Sequence, residues 1–519
     1  MERTPTGMKT GRRAPGVGAS LFPASGNGRT LLLTLLFLAA LGLRLYHITD
    51  PPLQFHATRQ YISALIARAM YVESAGDIPA AVRAVALAAR PAPGEPPVME
   101  FVASRLYLLL GGEDLAVPRV LAVCLWLAAG LFLHLLAARI LPPDGAAVAT
   151  AFFLFLPFGV AASRSFMPDP LMIALFAGAL LALVRWRLSP TRAGFALAAA
   201  AAAAAVFVKP VALLPLWGAF IGTGVARDGF RRTAASPSAY AYAAASLAPA
   251  ILYFGYGLAV SPAMREFTAG RFMPHLLMQG FFWMEVAAMV RQVAGVWAVA
   301  ACLLGLMLLR ERLATGLLAG LLAGYAAFVL AFALHTHTHD YYHLMLIPIA
   351  ALGVGRTGAA VLGAAARGPR WRRAAGWGAA GLALLLAVNA SRGSLPAWGH
   401  EQTVATYRDI GERTGHSTRT LFLARDYGLP LQYHGWIAGE YWPTAYDFRW
   451  AELSHTALDR GRDRLDRLVA GHSPEFFVVI DTDEFERQPD LRNALASYPL
   501  AGAGERFRIY DLQNARRSP

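Results

Sequence analysis

Charge is scarce in this chain of 519 residues. Only 15% are Asp, Glu, Lys or Arg, against about 25% in an ordinary soluble domain, while 56% are hydrophobic. That balance excludes a soluble globular enzyme. Lysine is nearly missing, with Lys9 and Lys209 alone among the 47 basic residues, so the one in the body of the chain stands out. Cysteine is equally rare: Cys124 and Cys302 both lie in apolar runs, which excludes a disulfide framework and a CxxC metal motif. Acidic residues are fewer than basic ones by 14. A nucleic-acid binder would carry such an excess on the solvated face of a chain of normal polarity, so no nucleic-acid partner is expected.

Long apolar runs are abundant. A bilayer core about 30 Å thick needs about 20 apolar residues per helix. Eleven candidate spans follow, at residues 30–48, 117–140, 146–162, 171–184, 194–208, 211–226, 240–260, 293–309, 313–334, 344–362 and 374–390. The run over 194–226 is too long for one span, and Lys209-Pro210 divides it, since proline ends or kinks a helix. Arginine-rich short loops mark the cytoplasmic side of a membrane protein. Here they alternate: the tail with Arg3, Lys9, Arg12 and Arg13, then Arg139, then Arg185 to Arg192, Arg227 to Arg232, Arg310 with Arg312, and Arg367 to Arg373. This parity requires the division at Lys209. It predicts a cytoplasmic amino terminus, residues 1–29, a membrane domain over 30–390, and an extracytoplasmic carboxy terminus. The first span has no small-residue cleavage site after it and reads as an anchor.

The opposite loops differ in kind. Residues 49–116 form a long loop with two amphipathic stretches, one with Ile62, Leu65, Ile66, Ala69 and Met70 at helical spacing, the other with Val98, Phe101, Val102 and Leu106. Both read as helices lying in the outer interface, with Arg59, Gln60, Ser63 and Arg68 off the first stripe, and Glu100 and Arg105 off the second. From residue 391 the composition turns polar. Strand-like runs at 420–424, 476–480 and 507–510 alternate with helix-like segments at 403–414, 458–470 and 491–497, which predicts a small α/β domain over 391–519. The expected fold class is therefore mainly α and polytopic, with about eleven transmembrane helices, outer interfacial helices and that domain.

The polar motifs all fall on the predicted outer side: His56 to Gln60, Glu95 before two prolines, the run from Ser163 to Pro170, Lys209, and HTHTHDYYH over 335–343. Ionisable groups at membrane depth are costly, so several converging at one level point to a site. Each alone also reads as an interfacial anchor; the shared side is the argument. Glu95 and Asp169 are carboxylates able to serve as a general base or to position an acceptor, or else mere helix-start acids. Arg59, Arg164 and Lys209 suit a phosphate, although Lys209 also suits snorkelling to headgroups. His335, His337 and His339 alternate as metal ligands would on an extended segment, which leaves a divalent metal possible without a diagnostic second ligand pair. Tyr341 and Tyr342 fit either an aromatic belt or a sugar face. His134, alone in a span, reads as a buried residue with a local partner.

In order and sidedness these motifs resemble the GT-C glycosyltransferases, polytopic enzymes that include protein O-mannosyltransferases and lipid A aminoarabinose transferases. The resemblance covers most of the membrane domain. It rests on Phe55, His56, Arg59, Gln60 and Ile66 to Arg68; on Glu95-Pro96; on Ser163-Arg164 and Met167 to Asp169; on Lys209-Pro210; and on His339 to Tyr342. It implies transfer of a hexosyl or pentosyl group from a polyprenyl-phosphate donor to a lipid, glycan or protein acceptor at the outer face of a bacterial inner membrane. Glu95 and Asp169 would then be catalytic, with His56, Arg59, Gln60, Arg164, Lys209, His339, Asp340, Tyr341, Tyr342 and His343 binding donor or acceptor. One departure stands out: related sequences read RQAD where this chain reads Arg59-Gln60-Tyr61-Ile62, so the usual loop carboxylate is an isoleucine, for which Asp50, His56 or Glu95 would have to substitute. Two rival readings are a transporter or flippase of a lipid-linked sugar, and an inactive homologue.

Overall fold

The computed structural model describes residues 20–22, 26–262, 264–265, 273–395, 400–453 and 458–514. The basic tail expected around Arg3, Lys9, Arg12 and Arg13 lies outside the described residues. Helices dominate, in the order α1 (Asn27–Leu45), α2 (Ala57–Ser74), α3 (Ala80–Ala88), α4 (Val98–Leu110), α5 (Ala116–Ile140), α6 (Pro143–Phe155), α7 (Pro157–Ala162), α8 (Asp169–Leu188), α9 (Arg192–Val208) and α10 (Leu213–Asp228). After α11 (Phe230–Ala234) come α12 (Pro237–Val260), α13 (Gly280–Val293), α14 (Val296–Leu308), α15 (Arg312–Ala331), α16 (Ala333–Thr338), α17 (Leu346–Ala366) and α18 (Arg370–Gly393). The protein is a mainly α, polytopic membrane protein.

Among the described residues eight helical segments are long and apolar enough to cross a membrane, or nine with the pair α13–α14 taken as one broken span. Every expected run is found as an apolar helix, but three are not full-length straight spans. The run 146–162 breaks at Pro157, leaving α6 with 13 residues and α7 with 6. Pro157 has no N–H to donate, and carbonyls beside the break find other donors: Arg44 donates to the Leu154 carbonyl and Ser391 to that of Phe155, both at 2.8 Å. Such pairing is obligatory where no water competes. The run 194–208 is a 17-residue helix that ends where Lys209 turns extended ahead of Pro210, as the sequence predicts. The run 293–309 is the second limb of a pair bent by 88°. Gly295 makes the bend, with φ of 85°, a value that a side chain would strain.

Spans pack through small residues. Helices α10 and α15 approach so closely that a Cβ added to Gly320 would lie 2.1 Å from the Gly218 carbonyl oxygen. Close backbone approach of this kind supplies dispersion contacts where lipid offers no hydrophobic gain. On the outside of the bundle Leu31, Leu35 and Leu38 of α1 remain exposed, as lipid-facing residues do. His134 is buried, with its two ring nitrogens 2.9 Å from Thr150 Oγ1 and from an Arg29 guanidinium nitrogen, the local partners expected.

The loop helices depart from the expected amphipathicity: α2 buries its apolar stripe, with Leu65, Ile66 and Ala69 inside, and its polar face as well. Gln60, Ser63 and Arg68 of α2, expected on its polar face, are buried in protein. On α4 the predicted apolar stripe is partly outward, with Phe101 and Val102 exposed, while Glu100 and Ser104 are buried. The physical reason is the surroundings: where lipid is outside, polar side chains seek partners inward. Ser63 donates to Glu100 at 2.6 Å, and burial raises the Glu100 pKa despite that hydrogen bond.

Beyond α18 lies a five-stranded sheet: β1 (Thr420–Leu423), β2 (Gly439–Tyr441), β3 (Phe476–Val479), β4 (Leu500–Gly504) and β5 (Phe507–Asp511), ordered β2-β1-β3-β5-β4. The first three strands run parallel and β5 is antiparallel to β3. Helices Glu401–Arg413, Gly461–His472 and Pro489–Leu495 accompany it, close to the expected segments. The strands β2 and β4 are additions to the expected set; the first has three residues, and the second, LAGAG, carries almost no β-forming side chain.

Contacts fix this domain on the loop helices. Arg68 lies between the rings of Tyr433 and Trp436, at 3.7 and 3.9 Å from their centroids, and donates to the Tyr433 carbonyl and to Glu113. Tyr61 shares a 2.6 Å hydrogen bond with His434, and Thr58 donates to Asp426 at 2.9 Å.

Candidate active site

The break between α9 and α10 delivers Lys209 to the end of the bundle beneath the loop helices. Proline at the next position ends α9, so the lysine takes an extended backbone. Its Nζ meets both carboxylate oxygens of Asp169, at 2.8 and 3.0 Å. Asp169 opens α8, held there by the Pro170 that follows. Both side chains are 1% exposed. A second acid, Glu95, stands 4.0 Å from Lys209 and accepts from Arg59 at 2.5 Å. Two cations and two carboxylates thus form one quartet of zero net charge, with Lys209 and Asp169 buried and Arg59 and Glu95 half-buried. Burial opposes the Arg59 charge, but Glu95 together with Tyr341, Tyr342 and Asp169 outweighs it and leaves the pKa raised.

Tyr341 and Tyr342 wall the quartet. Their ring centroids lie 4.8 and 4.7 Å from Lys209 Nζ, inside the range in which a ring face attracts a cation. His56 packs edge-on against Tyr341 at 4.7 Å, and its Nε2 lies 2.6 Å from Asp340 Oδ1. Gln292 donates to the other Asp340 oxygen at 2.7 Å. His339 touches both tyrosine rings; it is exposed over part of its ring, yet desolvation of the rest, with the charges of His56 and Arg59, holds its pKa down to about 4.

The structure therefore joins Glu95, Asp169, Arg59, Lys209, His56, His339, Asp340, Tyr341 and Tyr342. Three expected members have their partners elsewhere. Gln60 is a latch: it donates to the Phe55 carbonyl and accepts from the Phe166 amide, tying α2 to the loop before α8. Arg164 donates to the Tyr46 carbonyl at 2.5 Å, while its own carbonyl accepts from Arg119. With Arg44, which donates to Ser163, these arginines clamp the chain on the far side of Gln60. His343 is buried between Tyr325 and the Thr336 carbonyl, a packing role. His335, His337 and His339 do not converge: His337 bonds its own helix at Ala333 and His339 bonds Thr338. Among the described residues no three His, Cys, Asp or Glu side chains come together as a cation-binding set.

Glu100 and Gln292 escape the sequence reading. Glu100 looks like an off-stripe acid on an amphipathic helix. Gln292 sits at the edge of an apolar run, and its polarity there is the available signal. A cavity of about 660 Å³ adjoins the His56–Asp340 pair and is lined by these two with Gln292 and Asp426 among others.

Residues 94–254 match the sequence family described as dolichyl-phosphate-mannose-protein mannosyltransferase. Glu95, Asp169 and Lys209 fall inside that stretch. No curated protein matches the sequence. Among solved structures, ArnT from Cupriavidus metallidurans bound to undecaprenyl phosphate is similar with a TM-score of 0.58 at 16% identity, over 93% of this chain and 97% of that one. The Archaeoglobus fulgidus oligosaccharyltransferase AglB, in complex with an inhibitory peptide and a dolichol-phosphate, gives 0.52 at 12% identity, over 90% and 72%. The mycobacterial arabinofuranosyltransferase AftD gives 0.50 at 18% identity, over 94% of this chain but 42% of that much longer one. The chain thus has the fold of the GT-C membrane glycosyltransferases, and over 94–254 it carries the sequence pattern of the dolichyl-phosphate-mannose-protein mannosyltransferase family.

Proposed function

We propose that the protein transfers a sugar from a polyprenyl-phosphate carrier to an acceptor hydroxyl, with inversion at the anomeric carbon. The observation that carries this reading is the quartet of Lys209, Asp169, Arg59 and Glu95 at the mouth of the membrane domain. Two cations held in place by carboxylates form a preorganised seat for a phosphodiester, whose charge grows as the sugar–phosphate bond breaks. Asp169 commits both oxygens to Lys209, so it positions the lysine; Glu95 accepts from Arg59 through one oxygen and holds the arginine. The tyrosine wall supplies a face for a sugar ring. The similar ArnT structure holds undecaprenyl phosphate and that of AglB a dolichol-phosphate, which supports a carrier of this chemistry.

We further propose that the site faces the outer side of a bacterial inner membrane, with the amino terminus in the cytoplasm; in support, Asp169 and Lys209 stand at the ends of α8 and α9 opposite Arg185, Arg187 and Arg192, and arginine-rich loops favour the cytoplasmic side. The acceptor would be a lipid, glycan or protein presented there, and the transferred group a hexose, pentose or derivative of one. The test is to incubate purified protein in nanodiscs with radiolabelled undecaprenyl-phosphate sugars and an envelope extract. Release of undecaprenyl phosphate with label appearing in the extract supports the reading. Absence of both with every donor would overturn it.

A further inference from the structure

We propose that His56, oriented by Asp340, is the general base that takes the proton from the acceptor hydroxyl, and that the cavity in front of it is the acceptor site. This rests on the transferase reading and supplies what that reading lacks, a base not committed to a cation. Asp169 and Glu95 are engaged with Lys209 and Arg59.

Four observations converge on His56. Its backbone is left-handed, φ 49° and ψ 55°, which is uncommon for a residue with a side chain and is tolerated where surroundings or function hold it. It occupies the N-cap of α2 yet makes no capping hydrogen bond; its ring instead reaches Asp340, 284 residues away. Because a carboxylate only accepts, Nε2 carries a proton, and in the neutral ring Nδ1 keeps its lone pair. Among the described residues Nδ1 makes no hydrogen bond. Asp340 is fixed in turn by Gln292 on its other oxygen. A carboxylate so held sets the tautomer and stabilises the imidazolium that forms when Nδ1 takes a proton.

The dyad stands between the cavity and the cations. On one side is Tyr341, which contacts the His56 ring and the Lys209 ammonium alike. On the other is the cavity of about 660 Å³, where His56, Asp340 and Gln292 meet Phe55, Phe158 and Asp426. Its lining holds two carboxylates and neither Lys nor Arg. An anionic acceptor group is disfavoured there by charge; a neutral polyol, such as a sugar hydroxyl with its apolar face on the phenyl rings, fits.

In the transfer step the acceptor oxygen attacks the anomeric carbon and its proton passes to His56 Nδ1. The bond from that carbon to the phosphate oxygen breaks, and its electron pair leaves with polyprenyl phosphate between Lys209 and Arg59. The products are the glycosylated acceptor, polyprenyl phosphate and protonated His56, which returns its proton to water.

The experiment compares wild type, His56→Gln, Asp340→Asn and Lys209→Met, all full-length in nanodiscs. The assay uses labelled undecaprenyl-phosphate sugars with envelope extract, and binding of undecaprenyl phosphate alone serves as the folding control. His56→Gln should lower kcat by about 100- to 10,000-fold with the donor KM and undecaprenyl phosphate binding unchanged. The wild-type inflection of rate with pH in the histidine range should vanish in that variant, and Asp340→Asn should shift it. Turnover by His56→Gln at the wild-type rate with the same inflection overturns the base assignment and leaves the transferase reading standing. A wild type that consumes no donor overturns both.

Discussion

Lys209 and Asp169 form a two-pronged ion pair, Nζ to both carboxylate oxygens at 2.8 and 3.0 Å, with each side chain 1% exposed. Removing one partner leaves an uncompensated buried charge, a loss of about 3–5 kcal/mol. Asp169→Asn and Lys209→Met should each lower the unfolding temperature in detergent. The double variant should regain most of that stability and still fail to bind undecaprenyl phosphate. A double variant as unstable as the singles would mean that packing, and not charge balance, holds this site.

Arg68 is held between two aromatic rings and by Glu113. Arg68→Ala removes both and leaves the Tyr433 carbonyl without its donor, at a cost of about 2–4 kcal/mol. The expected outcome is faster protease cleavage in the carboxy-terminal domain, with the membrane helices still intact by circular dichroism. Unchanged cleavage would show that the contacts of Tyr61 and Thr58 suffice for docking.

Acid should loosen the same junction. Burial, with Arg68 nearby, lowers the His434 pKa from 6.5 to about 3. The folded state therefore keeps His434 neutral where the unfolded chain takes up a proton. Its contribution is complete above the unfolded pKa of 6.5 and is lost progressively as pH falls toward about 3. Wild-type melting temperature should drop over that window. His434→Gln, which cannot be protonated there, should show a shallower fall.

The α10–α15 contact admits no side chain at Gly320, where a Cβ would sit 2.1 Å from the Gly218 carbonyl. Gly320→Leu should force the helices apart and cost about 1–3 kcal/mol or more. Thermal unfolding of the purified variant reads this directly. Gly378→Leu is the control, since nothing lies within 4 Å of its added Cβ, and it should unfold at the wild-type temperature or above. Equal losses in the two variants would mean that the close approach of α10 and α15 contributes nothing particular.

Much of the fold is legible in the sequence because bilayer thickness and residue type leave few options. Apolar runs become helices at the places read from the sequence, and the break at Lys209-Pro210 follows from proline's missing donor. The departures are as instructive. The break at Pro157 and the bend at Gly295 escape a reading by apolar runs, because each depends on other segments that satisfy or permit it. The stripe on α4 takes the other environment, since hydrophobicity names an apolar neighbour without saying whether it is protein or lipid.

The site divides along the same line. The sequence by itself determined which residues stand out: sparse charge in an apolar chain makes Lys209, Asp169, Glu95 and His56 conspicuous, and loop parity gives the expectation that they share one membrane side. Only the tertiary structure decided the pairings. It gave Asp169 to Lys209, Glu95 to Arg59 and Asp340 to His56, and it gave Gln60, Arg164 and His343 partners outside that set. The reason is physical: a buried charge must find a partner within about 4 Å, and which partner is in reach is set by how helices distant in sequence pack, not by spacing along the chain.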